Sequence, residues 1–207
     1  MLKRIIPVVT LIGFLFAGSI AAAGDAQDQL KVSIDKVIAL LSDDSLKAPE
    51  KKLERRDMIF GVLRSCFDFA EMGKRSLAQH WKDISQEDQD KFVDAFSKLM
   101  QNSYILKIER YSDEQVIFKG ERAKGKYYYV YTDIVSGDKK IPINYSLHAV
   151  ENHWLVYDVI IEGVSLVKNY RTQFAQTMQK EEFAGLMSKI NKQLEKLEGR
   201  LEEEEDA

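Results

Sequence analysis

Between Ile141 and Ala149 every second side chain is apolar: Ile141, Ile143, Tyr145, Leu147 and Ala149 alternate with Pro142, Asn144, Ser146 and His148. A period of two puts one set on each side of an extended strand, a segregation that a helix of 3.6 residues per turn cannot produce. The stretch therefore predicts a strand with an apolar and a polar face, and such a strand needs neighbours. Lys126 to Val135 and Trp154 to Ile161 supply them, joined to it through Ser136-Gly137-Asp138 and Glu151-Asn152-His153, both suited to hairpin connections. Val116 to Lys119 is a shorter fourth strand. The result is an antiparallel meander.

On either side of the meander the apolar period is that of a helix. Leu30, Ile34, Val37, Ile38 and Leu41 recur at three and four within Asp25 to Leu41. Pro49 suits a first helical turn, and Leu53, Met58, Ile59, Val62, Leu63 and Cys66 continue a second helix. Phe67-Asp68-Phe69 bends into a third that ends near Trp81. Ser85, with Glu87 and Asp88 behind it, caps a long helix reaching about Arg110. After Gly163, Ser165 caps a helix through about Gln179, and Phe183, Leu186, Ile190, Leu194 and Leu197 mark the last one. Helices, four strands, helices is the order of an α+β fold: a curved four-stranded antiparallel sheet covered by N- and C-terminal helices, of NTF2-like architecture. No internal repeat or long linker divides it.

Two strands, Lys126 to Val135 and Trp154 to Ile161, are apolar on both sides. Tyr127, Tyr129 and Tyr131 face opposite to Tyr128, Val130 and Ile134, while Leu155, Tyr157, Val159 and Ile161 face opposite to Trp154, Val156 and Ile160. Both faces need cover, which ordinary helix packing provides as well as an apolar cavity does. All nine tyrosines fall between positions 104 and 170. A tyrosine ring can line an apolar pocket while its hydroxyl reaches water at the mouth.

The formal charge of −3 over 207 residues leaves no basic excess to drive nucleic-acid binding. One cysteine, Cys66, excludes an internal disulfide, and with His80, His148 and His153 it offers little for a metal site. Lys3 and Arg4 precede an apolar run from Ile5 to Ile20, and Ala21-Ala22-Ala23 follows with the small residues that a signal peptidase reads. The run is shorter than the roughly 20 residues a spanning helix needs. Residues 1–23 are therefore expected to be a signal peptide, 24–198 a single domain and 199–207 an acidic, frayed tail.

Three constellations that carry chemistry elsewhere fail here. Gly163-Val164-Ser165 sits at a strand-to-helix turn like a serine nucleophile, but the fifth position is Val167 rather than glycine and all three histidines precede the serine. A helix cap explains Ser165 better. Gly120 to Lys126 has phosphate-loop spacing, yet Tyr127 stands where a magnesium-binding hydroxyl belongs, and no helix follows. Asp158 and Glu162 could pair as acid and base, but an aspartate at a strand end is expected to hydrogen-bond backbone or an arginine such as Arg171. Catalysis and cofactors are not expected.

Several segments together carry a family likeness: Leu77 to Trp81, Phe92-Val93-Asp94-Ala95-Phe96, Tyr104, Tyr157-Asp158-Val159, and Glu162-Gly163-Val164-Ser165 running into Asn169-Tyr170-Arg171 and Phe174. In order and spacing these resemble the MlaC family, also called the toluene-tolerance family. The resemblance implies a monomeric, non-enzymatic phospholipid carrier of the periplasm, with a lipid-tail cavity between a twisted sheet and its helices. Its implied cargo is phospholipid, and its implied partners are an inner-membrane ABC transporter with its lipid-binding subunit and an outer-membrane lipoprotein complex. A secreted NTF2-like enzyme acting on a small apolar substrate is the alternative.

The likeness does not say which residues line the cavity. The apolar faces predicted above suggest Leu63, Phe67, Phe69, Phe96, Met100, Tyr129, Tyr131, Ile143, Tyr145, Val159 and Ile161. If they do line it, Tyr145→Glu abolishes lipid retention; unchanged lipid content in a folded variant removes the residue from the set.

Overall fold

The computed structural model describes residues 25–111 and 114–205; the expected signal peptide lies outside them. The chain opens with helix α1, Asp25–Ser42. Short 3-10 turns at Asp44–Leu46 and Pro49–Lys51 lead into α2, Lys52–Cys66. Next come α3, Phe69–Leu77, a 3-10 turn over Ala78–Asp83, and α4, Gln86–Glu109. Strands β1 (Gln115–Lys124), β2 (Tyr127–Ser136), β3 (Lys139–Val150), β4 (His153–Ile161) and β5 (Val164–Ser165) follow. Helix α5, Leu166–Glu205, closes the fold.

Local chemistry accounts for most boundaries. The Ser85 hydroxyl accepts the Asp88 N–H at 3.1 Å and donates to the Asp88 carboxylate at 2.9 Å, satisfying one of the orphan donors at the start of α4. Ser165 caps α5 in the expected way, its hydroxyl accepting the Lys168 N–H at 3.0 Å. Helix α5 contains the expected break between two helices: Glu182, at φ 55° and ψ −167°, kinks it.

The sheet has five antiparallel strands in the order β1-β2-β3-β4-β5, one more than the sequence predicts. Glu162 (φ 51°) and Gly163 (φ 84°) turn the chain back so that Val164 pairs with Ile161 before the helix starts. The first strand is also longer than Val116 to Lys119. A bulge at Lys119, with Gly120 at φ 116°, re-aims the chain and lets pairing continue to Lys124.

A second bulge changes which side chains share a face. In the β3–β4 ladder Ser146 opposes Asp158 and Leu147 opposes Val156, so Tyr157 is the extra residue. Val156 and Val159 consequently lie on one face, not on opposite faces as strict alternation predicts. Cross-strand rows on this face run Tyr128–Leu147–Val156, Val130–Tyr145–Val159 and Thr132–Ile143–Ile161. Val130, Thr132, Leu147 and Val156 are at most 1% exposed. Tyr129 and Tyr131 lie on the other face, opposite Ser146 and Asn144.

The main core joins these rows to the helices. Phe92 and Phe96 stack at 5.6 Å, and Phe174 meets both edge-on; each buried ring contributes about 1.5–3 kcal/mol. A second core gathers Leu41, Ile59, Ile105 and Leu201 from α1, α2, α4 and α5. Beside it Arg56 donates to both carboxylate oxygens of Glu109, at 3.3 and 3.0 Å, in a pair almost removed from water. Because Leu201 is buried, the helix continues through the solvated acids that follow it, where the sequence suggests a frayed end.

The kink yields a paired test. Glu182 occupies a region that essentially only glycine enters without a cost of about 1–3 kcal/mol. Glu182→Gly is expected to raise Tm by roughly 2–4 °C per kcal/mol relieved. Gly185→Ala normally stabilises a helix, yet here the new methyl would fall 2.3 Å from Glu181 Cβ, so Tm falls. Calorimetry on both variants checks the signs.

Candidate functional site

Where α1 and the last turn of α2 lean over the exposed edge of β4, the structure leaves a half-open groove of about 460 Å³. Its floor is apolar: Leu30, Cys66, Leu147 and Val156 are buried, and the half-buried Trp154 packs against Tyr128 with ring centroids 4.4 Å apart. Its rim is polar and exposed, with Asp28, Lys36, Ser65 and His153. Val32, 53% exposed, is the apolar residue on the solvent side.

Four hydrogen bonds hold this edge. Gln29 Oε1 accepts the Trp154 N–H at 2.9 Å, which ties α1 to β4. The Asp68 N–H donates to the Val156 carbonyl at 2.9 Å, next to a parallel bridge between Phe67 and Val156. The Asp68 carboxylate caps α3 by accepting the Glu71 N–H at 2.8 Å, and its second oxygen lies 3.0 Å from His148 Nε2. The junction between α2 and α3 is thus pinned to the sheet in plane and across it, and backbone groups that would otherwise be orphaned beside an apolar groove are satisfied.

Desolvation shapes Cys66 on the groove floor and the partly buried phenols elsewhere in the fold. Burial pushes the Cys66 thiol up to about 11, with Ser33 partly opposing it. Burial also raises the Tyr145 phenol to about 12, its hydroxyl lying near Thr132, and the Tyr104 phenol to about 12. These hydroxyls stay neutral inside the fold.

None of the eleven residues suggested by the sequence lines this groove. Ile143, Tyr145, Val159 and Ile161 share the buried sheet face, two of its rows away from the Tyr128–Leu147–Val156 row at most. Phe67 and Phe69 stack at 5.6 Å and pack on the main core. Phe96 and Met100 are buried within that core, and Leu63 packs against the second one. Tyr129 and Tyr131 line a separate hollow of about 230 Å³ with Arg122 and Lys124. The groove residues Leu30, Trp154 and Val156 lie in correctly predicted elements; the crossing of α1 over the strand edge is what brings them together.

The Ser165 hydroxyl donates to Asp158 at 2.6 Å, and Asp158 also accepts the Val167 N–H at 3.0 Å. Both residues are committed to starting α5. Arg171 donates instead to the Arg75 carbonyl at 2.8 Å. Among the described residues no group of three or more His, Cys, Asp or Glu side chains is placed to hold a metal ion.

These features define a class of protein: an α+β domain whose open antiparallel sheet is flanked by helices, with an apolar-floored groove along one edge. The chain belongs to the MlaC family, since the family model described as MlaC protein matches residues 31–192. It is similar to the intermembrane phospholipid transport system binding protein MlaC of Haemophilus influenzae, at 19% identity over 197 residues that cover 91% of this chain and 92% of that protein. It also resembles the solved structure of a phospholipid-binding protein from Ralstonia solanacearum in complex with a phospholipid. There the TM-score is 0.74 at 23% identity, over 84% of this chain and 98% of the other.

Cys66 provides a check on the groove. A thiol at about 11 carries roughly 300-fold less thiolate at neutral pH than an ordinary one near 8.5. Alkylation by iodoacetamide at pH 8 should be slower than that of glutathione by at least that order and keep accelerating beyond pH 10. A rate within ten-fold of glutathione would contradict the burial described.

Proposed function

We propose that this protein is a periplasmic phospholipid carrier, moving lipid between outer-membrane components and an inner-membrane ABC transporter. Family membership supports the reading, as does the likeness to a phospholipid-binding protein and to an intermembrane phospholipid transport protein. The observation that carries it is the groove: an apolar floor, a polar exposed rim and an opening to solvent. A lipid needs this combination, with its tails hidden and its head group wet.

The physical demand is large. At about 0.8 kcal/mol per methylene, a lipid with roughly thirty tail methylenes loses some 20 to 25 kcal/mol on entering water unprotected. An engineered cavity of about 150 Å³ takes up one benzene. By that measure the 460 Å³ groove admits roughly eighteen carbons, about one acyl chain. The second chain needs new space. In this reading α1 lifts from β4, and hydrocarbon advances past Cys66 onto the face shared by Tyr145, Val159, Ile143 and Ile161, with Phe67 and Phe69 alongside. The architecture then becomes an NTF2-like sheet and helix cover around an enlarged apolar cavity. Docking to a membrane-bound partner is the event that supplies the opening. The carrier acts as a monomer, and phospholipid is its cargo, not a substrate.

Lipid extraction and mass spectrometry on protein purified without detergent test the reading, with bound phospholipid as the expected result. Ser65 stands exposed at the rim, so Ser65→Trp fills the groove at a cost within about 0.5 kcal/mol of stability. It should cut retained lipid at least several-fold with Tm almost unchanged. No extractable lipid in the parent protein, or undiminished lipid in a folded Ser65→Trp variant, would sink the proposal.

A further inference from the structure

The sheet face turned away from the groove carries a second concavity, of about 230 Å³, lined by Arg122, Lys124, Tyr129 and Tyr131. It sits at the β1–β2 hairpin, where Arg122 is directly opposite Tyr129 and Lys124 opposite Tyr127. The alternation of the strand sends both cations to this face and sends Glu121, which accepts the Gln27 N–H, to the other. In the turn, Lys126 places its ammonium 5.6 Å from the centre of the Tyr127 ring.

The two ends of this face differ in charge balance. Towards Asp133 the cations are neutralised: Lys119 and Lys140 meet that carboxylate at 2.5 and 3.2 Å. At the hairpin end Arg122, Lys124 and Lys126 are exposed, and among the described residues no carboxylate pairs with them. A chain of net charge −3 thus concentrates three unopposed cations beside three tyrosines on one strip. Edge protection alone accounts for charges on β1, but not for an aromatic row behind them.

Cationic side chains with apolar stems, set beside half-buried tyrosine rings, match the layered chemistry of a bilayer surface, where anionic phosphates lie above a mixed interfacial zone. We propose that this strip is a docking surface for an anionic phospholipid membrane, with the Arg122–Lys124–Tyr129–Tyr131 hollow receiving a lipid phosphate. The hollow is too small for a whole lipid and lies across the sheet from the groove, so it serves contact with the membrane surface and not cargo storage. An acidic protein face would use the same cations but would not require the tyrosine row.

The test is flotation of the full chain with vesicles of phosphatidylglycerol or of phosphatidylcholine, in low and high salt, with inorganic phosphate as a soluble competitor. Each cation near an anionic surface is worth about a factor of five, so Arg122→Gln with Lys124→Gln should weaken binding to phosphatidylglycerol about 30-fold. Binding to phosphatidylcholine should not change. Added salt should erase the difference between the two lipids. Phosphate at millimolar concentration should compete only weakly, because a free ion lacks the interfacial contacts. Tyr129→Ser with Tyr131→Ser, which removes the rings and keeps the charge, should also weaken vesicle binding.

Retained cargo in the glutamine variant should equal that of the parent, which separates this proposal from the carrier reading. Equal binding of parent and glutamine variant to phosphatidylglycerol vesicles overturns it. So does the absence of any preference for phosphatidylglycerol, a result that would leave an acidic protein as the occupant. Loss through the cations with no effect of the tyrosine variant overturns the interfacial part in the same way.

Discussion

Asp68 is the residue on which the joining of sheet and helices depends. Its N–H is bonded to Val156 in the outer strand, one carboxylate oxygen starts α3, and the other meets His148 on β3. A single residue therefore seals part of a strand edge, satisfies a helix terminus and reaches a neighbouring strand. Everything between α2 and α3 is positioned by this junction, including Cys66 at the groove floor and Phe67 beside Val156. Charged acceptors of backbone N–H groups are among the stronger hydrogen-bonding arrangements, and this one is half-buried, where water competes less.

The same arrangement sets the balance between packing and vacancy. The aromatic cluster of Phe92, Phe96 and Phe174 is filled as protein interiors normally are. The groove is different because α1 is held to the sheet by few ties, such as the Gln29 bond to Trp154 and the Gln27 bond to Glu121, with Ala26 and Leu30 inserted below. A helix attached by a narrow apolar stripe and a few polar bonds separates at lower cost than one embedded in an aromatic core.

Much of the fold was legible in the sequence because its signals are local. The period of two in β3, the serines that begin α4 and α5, and the interruption before Phe183 each announce themselves within a few residues. The bulge at Tyr157 does not. In a strand whose two faces are both apolar, inserting one residue leaves the pattern unbroken, so strict alternation places Val156 and Val159 on opposite faces. The two-residue β5 is too short for any periodicity, although Gly163 marks its turn. The groove was hidden for another reason. It depends on where α1 crosses β4, a long-range relation that neither segment encodes alone, whereas the apolar faces that the sequence does reveal lie in the middle of the sheet and on both of its sides.

The outer strand β1 has a consequence for how copies of the chain meet. Its bulge at Lys119 and the left-handed Gly120 interrupt the run of backbone donors and acceptors that another strand would need to match. Were two molecules to zip along this border in antiparallel register, Lys119, Arg122 and Lys124 of one would be driven towards those of the other. Fibril growth by strand addition is therefore discouraged from this side, and the protein can be abundant in a crowded compartment without its open sheet acting as a seed.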